Sequence, residues 1–311
     1  MNRVMLALVL AAVVALPTYA GEYYINLASQ VLIAAVIAMS LNLLVGYGGL
    51  TSLGHAAFVG FAAYAYAWLG TRLDVGNGFA AAYALAATTL LACVFGLIAL
   101  RAAGLGFLMI TLALSQILWG LAYRWVSITN GDNGLSGVTR LRPFGISLER
   151  PAAFYWMTLA VFILAFLAIA TFARSAFGAT LRGVRDEPRR MAALGHNVRL
   201  IRWIAFVYAG FWGAVAGLLY VNYHKYIHPS SLSISNSAEG LLGVIAGGSG
   251  TAAGPIVGAA LITILKNYSS AYIERWNMLL GFVFLAIVLI APEGILPGVQ
   301  RLLAKRDDHR R

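Results

Sequence analysis

The residues able to do chemistry are few and widely spaced. His224 and His228, in NYHKYIHP, sit four apart, a spacing that sets two ligands on one helix face. No third ligand accompanies them and Pro229 ends the segment, so they read as a pair of interfacial histidines rather than a metal site. The only lysines are Lys225, Lys266 and Lys305, and none follows a glycine. That excludes the phosphate-binding loop GxxxxGK[ST], and no nucleophile–base constellation replaces it. Cys93 stands alone inside an apolar run, where it can form no internal disulfide. What remains is hydrogen-bonding chemistry set among glycines. LNLLVGYGGLTSLGHAAFVG, residues 41–60, offers Asn42, Thr51, Ser52 and His55 beside Gly48, Gly49 and Gly54. A second stretch, GGSGTAAGPIVG at 247–258, begins with Gly247 and Gly248 and follows Glu239, a rare acid placed at an expected helix N-terminus. Such groups can contact water or a passing solute without covalent catalysis.

The elements that must position these groups are membrane helices. The 311 residues are 61% hydrophobic and 11% charged, against about 25% charged in a soluble domain. Apolar runs fall at 4–20, 27–45, 52–70, 79–100, 105–126, 152–173, 203–222, 238–265 and 277–296. Most match the length needed to cross the hydrocarbon core, roughly 20 residues. The fold class is therefore all-α, a polytopic transmembrane bundle over residues 1–311 as one domain. The N-terminal stretch resembles a signal peptide, with Arg3, an apolar core and small residues before Gly21. It is taken as a retained first span, because the next apolar run follows at once.

The net charge of +11 does not indicate nucleic acid, because the bases lie between apolar runs. Residues 174–202 carry seven arginines against Asp186 and Glu187, which places that loop, and by parity both termini, in the cytoplasm. The basic tail 300–311 agrees only if the broken run 238–265 enters from outside, turns at its glycines and returns. Non-helical backbone at membrane depth persists only where protein or a water-filled cavity satisfies it. Both glycine-broken stretches are thus expected inside the bundle, and paired interrupted segments point to a path near the midplane. The expected path residues are Asn42, Gly48, Gly49, Thr51, Ser52, Gly54, His55, Glu239, Gly247 and Gly248; the glycines of the first stretch equally suit close helix packing.

The loop RSAFGATLRGVRDEPRRMAALGHNVRLIRW predicts a helix of about two turns around MAAL. Asp186 or Glu187 caps it, Pro188 occupies its first position and Gly195 stops it. A short stiff helix with arginine-rich flanks suits docking to a partner. Across the chain, SITNGDNGLSGVTRLRP at 127–143 is a turn-rich connection in which Asn130, Asp132 and Asn133 could meet a ligand or partner.

Taken together, SLNLLVGYGGLTSLGHAAFVGFAAYAYA (40–67), ITNGDNGLSGV (128–138), LRGVRDEPRRMAALGHNV (181–198), LLGVIAGGSGTAAGPIVGA (241–259) and APEG (291–294) resemble the LivM family. These are permease subunits of branched-chain amino acid ABC transporters, and the matches run in order along nearly the whole chain. Thr51 stands where the family usually has glutamine, and Asp132 where it often has serine. The resemblance implies a multi-pass protein of the bacterial inner membrane. It implies a homologous LivH-type permease partner, two cytoplasmic ATPase subunits that bind the ATP, a periplasmic substrate-binding protein and no cofactor on this chain. Residues 185–197 would be the ATPase-coupling element, and Arg182, Arg185, Asp186, Glu187, Arg189, Arg190, Ala193 and Gly195 the residues of the coupling loop. Relatives of this signature also serve urea, amides and aromatic acids. A secondary transporter is the alternative of a different class, disfavoured by spans nearly free of carboxylates.

Overall fold

The computed structural model describes residues 14–298 apart from 74, 143–144, 146, 273–275 and 292–293. Most of the proposed first span and the basic tail lie outside the described residues. Helix α1 (Glu22–Asn42) continues into a π-helical turn, Leu43–Tyr47. It is followed by α2 (His55–Arg72), α3 (Asn77–Ala99), α4 (Leu105–Arg124) and α5 (Pro151–Arg174). Two short helices, α6 (Ala176–Asp186) and α7 (Pro188–Ala193), lead to α8 (Val198–His224). The last are α9 (Ile234–Gly247), α10 (Gly254–Tyr272) and α11 (Trp276–Ile290). Two two-residue strands, β1 (Leu135–Ser136) and β2 (Tyr226–Ile227), pair antiparallel, Leu135 opposite Ile227. Among the described residues, five helices are long and apolar enough to span a membrane: α1 with its π turn, α3, α4, α5 and α8.

Helix α8 is the axis of the bundle and packs on α1, α2, α3 and α6. Its small residues let neighbours come close, as small residues do between helices in lipid. A methyl group at Gly210 would meet Ala92, and one at Gly217 would strike the Val59 carbonyl. Helix α2 is enclosed, with Ala57, Ala62, Ala63 and Ala67 fully buried. The chain between the π turn and α2 is not helical, and Leu50, Ser52 and Gly54 within it are buried. The expectation of interior, non-helical backbone at the first broken stretch thus holds in the structure, with protein rather than lipid around it.

The second broken run forms a hairpin. Helices α9 and α10 lie antiparallel, with Gly243 beside Ala259 and Ile262, and Gly247 against Gly254 and Gly258. At the far end Lys266 Nζ meets Glu239 Oε2 at 2.9 Å. The turn, residues 248–253, sits beside Gly46 and Arg185, whereas the open end reaches Gln30 and Tyr223. At 14 residues α9 is about 21 Å long, too short for a full crossing of a core about 30 Å thick. One expectation changes here. Glu239 does not open the helix, since α9 begins at Ile234 with Ser233 in the capping position. Its carboxylate is held by Lys266 across the hairpin instead of by the helix dipole.

The arginine-rich loop also differs from expectation. The short helix over Pro188–Ala193 is present, but a longer amphipathic helix precedes it. Ser175 starts that helix by accepting the Gly178 N–H at 3.3 Å. Leu181 and Val184 face the bundle and are fully buried. Neither Asp186 nor Glu187 caps α7 through its side chain; Asp186 is drawn back to Arg185 at 2.7 Å.

Candidate functional site

A cavity of about 370 Å³ opens between α1, α2, α8, α9 and α10. Its apolar lining includes Ile33, Ile37, Val59 and Ile262, and its polar lining includes Gln30, Tyr223, Glu239, Lys266 and Asn267. Asn267 Nδ2 donates to Gln30 Oε1 at 2.9 Å, and Gln30 Nε2 donates to the Tyr223 hydroxyl at 2.8 Å. This chain ties α10, α1 and α8 together at the rim. His55 lies at the enclosed side, 1% exposed. Its Nε2 is 2.7 Å from Ser40 Oγ. Ser40 Oγ also donates to the Ile37 carbonyl at 2.8 Å. Nδ1 has no partner.

Two broken helices meet at this point. The first N–H groups of a helix lack intrahelical acceptors. In α2 the Ala56 N–H is satisfied by Ser237 Oγ of α9 at 3.1 Å. Ser52 Oγ accepts the Gly54 N–H at 3.2 Å just before the helix starts. The unwound residues 48–54 therefore deliver His55 to the interior instead of letting α1 and α2 run on as one rod.

Of the ten residues expected along a path, His55 and Glu239 line the cavity. The other eight lie outside it. Asn42 is a clip: its Nδ2 donates to the Thr251 carbonyl at 2.9 Å and its Oδ1 accepts the Gly250 N–H at 2.8 Å. Gly48 faces the Leu44 carbonyl and Gly54 faces that of Thr111. Gly49, at φ +65°, lies under the Arg185 side chain. Ser52 is buried beside Gly54, and Thr51 is half-buried. Gly247 and Gly248 pack inside the hairpin, against Gly254 and Gly294. These glycines permit close approach of backbones. Sequence reasoning missed Gln30, Tyr223, Ser237, Lys266 and Asn267. The available signal was Lys266, a base at the end of the same broken run as Glu239.

A second surface lies at the opposite end from the rim. Arg182 donates to the Ala173 carbonyl at 2.7 Å and stands 6.0 Å from the Tyr47 ring centre. Arg185 Nη1 donates to the Gly46 carbonyl at 2.6 Å. The inner faces of these arginines thus join α6 to the bundle. By contrast Glu187, Arg189, Arg190, Ala193 and Gly195 are exposed, and α7 buries no residue. Gly195 has φ +87°, and the His196 N–H reaches back to the Met191 carbonyl at 3.1 Å, closing the helix as expected.

At the rim end, the histidine pair does not share a helix face. Helix α8 stops at His224, Lys225 turns left-handed at φ 55°, and His228 lies beyond β2. His224 Nδ1 is 3.0 Å from the Tyr220 carbonyl, while His228 Nε2 is 3.4 Å from Asp132. Asn130 sits at φ 62° and donates to the Gly134 carbonyl, and the Asn133 carbonyl accepts from Tyr226. No group of metal-binding side chains occurs among the described residues. Arg140 staples the loop, donating to the Asn222 carbonyl at 2.9 Å and the Leu148 carbonyl at 2.7 Å. Lys225 pairs with Glu149 at 2.5 Å and holds that carboxyl below its ordinary range.

Comparison with known proteins bears on what this arrangement serves. The family described as "Branched-chain amino acid transport system / permease component" matches residues 23–291. The chain is 25% identical to the high-affinity branched-chain amino acid transport system permease protein LivM of Escherichia coli, over 95% of this chain and 75% of that one. It is 28% identical to the LivH permease protein of the same organism, over 57% of this chain and 61% of that one. A probable LivM permease of Methanocaldococcus jannaschii is 24% identical over 84% of this chain and 90% of that one. No solved structure matches. With a family match across all the helices described from α1 to α11, the chain belongs to the permease components of the branched-chain amino acid transport systems and is a multi-pass membrane protein.

Proposed function

We propose that this permease imports aliphatic amino acids across the bacterial inner membrane as one subunit of an ABC importer. The single observation that carries this reading is the family match over residues 23–291, which includes the cavity, both glycine-broken segments and the arginine-rich loop. A LivH-type permease is its partner, in keeping with the similarity to both LivM and LivH. Two ATPase subunits bind ATP in the cytoplasm and dock on α7, where Arg189, Arg190 and Ala193 are exposed. A binding protein outside the membrane delivers substrate at the Glu149 end. Both termini and the arginine-rich loop are cytoplasmic, following the excess of arginine there.

In this mechanism ATP-driven motion of the docked subunits enters through α6 and α7. It passes to the π turn by the Arg185–Gly46 hydrogen bond, and to the hairpin by Asn42. The hairpin and α1 form one side of the cavity, so their movement changes which face of the membrane it opens to. The test is ATP-dependent uptake in vesicles holding all subunits, with leucine, urea and an aromatic acid in competition. Leucine uptake that requires the ATPases is expected. Uptake by this chain alone, driven by an ion gradient, would refute the reading.

A further inference from the structure

Glu239 and Lys266 are the acid and base of the α9–α10 hairpin, and they face each other at 2.9 Å on the wall of the cavity. Their role is not explained by holding the hairpin. That task is met by Gly243, Gly247, Gly254 and Gly258, where the two backbones touch. An ion pair drawn partly out of water loses in desolvation much of what it gains in attraction, so it adds little to stability. Ionisable groups on a hairpin packed within a membrane bundle are instead a mark of function. The pair is also reachable: the Lys266 side chain is 38% exposed and that of Glu239 is 22% exposed.

The surroundings narrow the ligand. Opposite charges side by side complement a zwitterion, whose own two charges are adjacent and costly to strip of water. The cavity is also lined by the aliphatic side chains of Ile33, Ile37, Val59 and Ile262. The volume, about 370 Å³, lies within the ~300–1,000 Å³ of small-molecule sites. At the enclosed side His55 is buried and its Nδ1 has no hydrogen-bond partner, an unmet hydrogen bond that a ligand or its water can complete.

We propose that this cavity is a transit site for an α-amino acid zwitterion, which opens the Glu239–Lys266 pair, sets its ammonium on Glu239 and its carboxylate on Lys266, and lays an aliphatic side chain on Ile33, Ile37, Val59 and Ile262. The proposal rests on the amino acid reading above and adds to it a site on the permease itself. Passage stays reversible because the empty site closes on its own ion pair, so the ligand exchanges one set of charge contacts for another.

The test is equilibrium binding of radiolabelled leucine to the full-length chain with its permease partner in nanodiscs, without binding protein. Uptake by the complete importer is measured in parallel. Saturable binding is expected, displaced by leucine but not by leucinamide, which lacks the carboxylate, nor by 4-methylpentanoate, which lacks the ammonium. Glu239→Gln, Lys266→Met and the two combined are each expected to weaken binding at least about tenfold, the scale of a lost charged contact. Ile37→Trp, which fills the apolar wall and leaves the pair intact, is expected to do the same. If the double variant binds leucine as the unchanged protein does, the pair is structural and the proposal falls. If the complete importer takes up leucine but the permease pair binds none, the site falls and the amino acid reading stands. If the importer takes up urea or an aromatic acid and no leucine, the reading fails and the zwitterion site fails with it.

Discussion

Arg185 on helix α6 donates its Nη1 hydrogen to the carbonyl of Gly46, 139 residues earlier, at 2.6 Å. The carbonyl is free because α1 widens into a π turn at Leu43–Tyr47 and then unwinds, leaving its last acceptors without helical partners. Gly46 also lies against Gly250 of the hairpin turn, where no side chain would fit. One arginine therefore meets the π turn at Gly46 and the unwound segment at Gly49, beside the hairpin turn.

Arg185→Lys should lower uptake severalfold without dissociating the subunits. A guanidinium holds Asp186 through Nε and Gly46 through Nη1 together, and a lysine ammonium lacks that fork. The lost hydrogen bond should cost roughly 1 kcal/mol in thermal unfolding. Uptake equal to that of the unchanged protein would show that motion does not pass through this contact.

Asn42→Leu should destabilise the protein by about 2 kcal/mol, two hydrogen bonds at about 1 kcal/mol each, because the amide serves both Gly250 and Thr251. Asn42→Asp keeps the acceptor for the Gly250 N–H but points a carboxylate oxygen at the Thr251 carbonyl. Both variants are expected to melt below the unchanged protein, with proteolysis between 248 and 253 as the local readout. A hairpin turn cleaved no faster than before would contradict the clip.

Gly195→Val should act on docking alone. The φ of +87° suits glycine and strains a β-branched residue. Helix α7 buries nothing, so the melting temperature of the bundle should hold while co-purification of the ATPase subunits drops. A global fall in stability with docking intact would reverse that assignment.

Protonation of Glu149 gives a pH dependence with a defined sign. Lys225 lowers the Glu149 pKa in the folded protein, chiefly by hydrogen bonding. The stabilisation is therefore fully present above the unfolded carboxylate pKa, about 4.3, and is lost as pH falls through the lower folded value. Both side chains are about half exposed, so the effect is small. The melting temperatures of the unchanged protein and Glu149→Gln should differ near neutrality and converge as acidification protonates Glu149 in the folded protein. A gap that stays constant on acidification would show that the ion pair is not its source.

Hydropathy alone placed most of the helices, because a membrane span must satisfy its backbone internally and so needs a run of apolar side chains about 20 residues long. The glycine stretches at 48–54 and 247–254 were legible as interruptions for the same reason. Gly195 and Pro188 marked one short helix through their own backbone restrictions. Helix α6 was harder to see. Its largest buried side chains, Leu181 and Val184, stand among arginines, so charge masked its amphipathic face.

Which polar groups meet was decided by tertiary structure alone. Glu239 and Lys266 are 27 residues apart in the chain, Asn42 and Gly250 are 208 apart, and the hairpin and the unwound segment bring each pair together. Local sequence sets helix, break and charge, since these depend on the backbone and side chain of each residue and its near neighbours. A cavity depends on how separate helices pack, and packing follows from where small residues on different helices let backbones touch. The sequence thus determined a membrane bundle with two interrupted helices and a basic loop. The fold then turned most of the interrupting glycines into contacts, and left the cavity to His55, Glu239 and the partners that folding supplied.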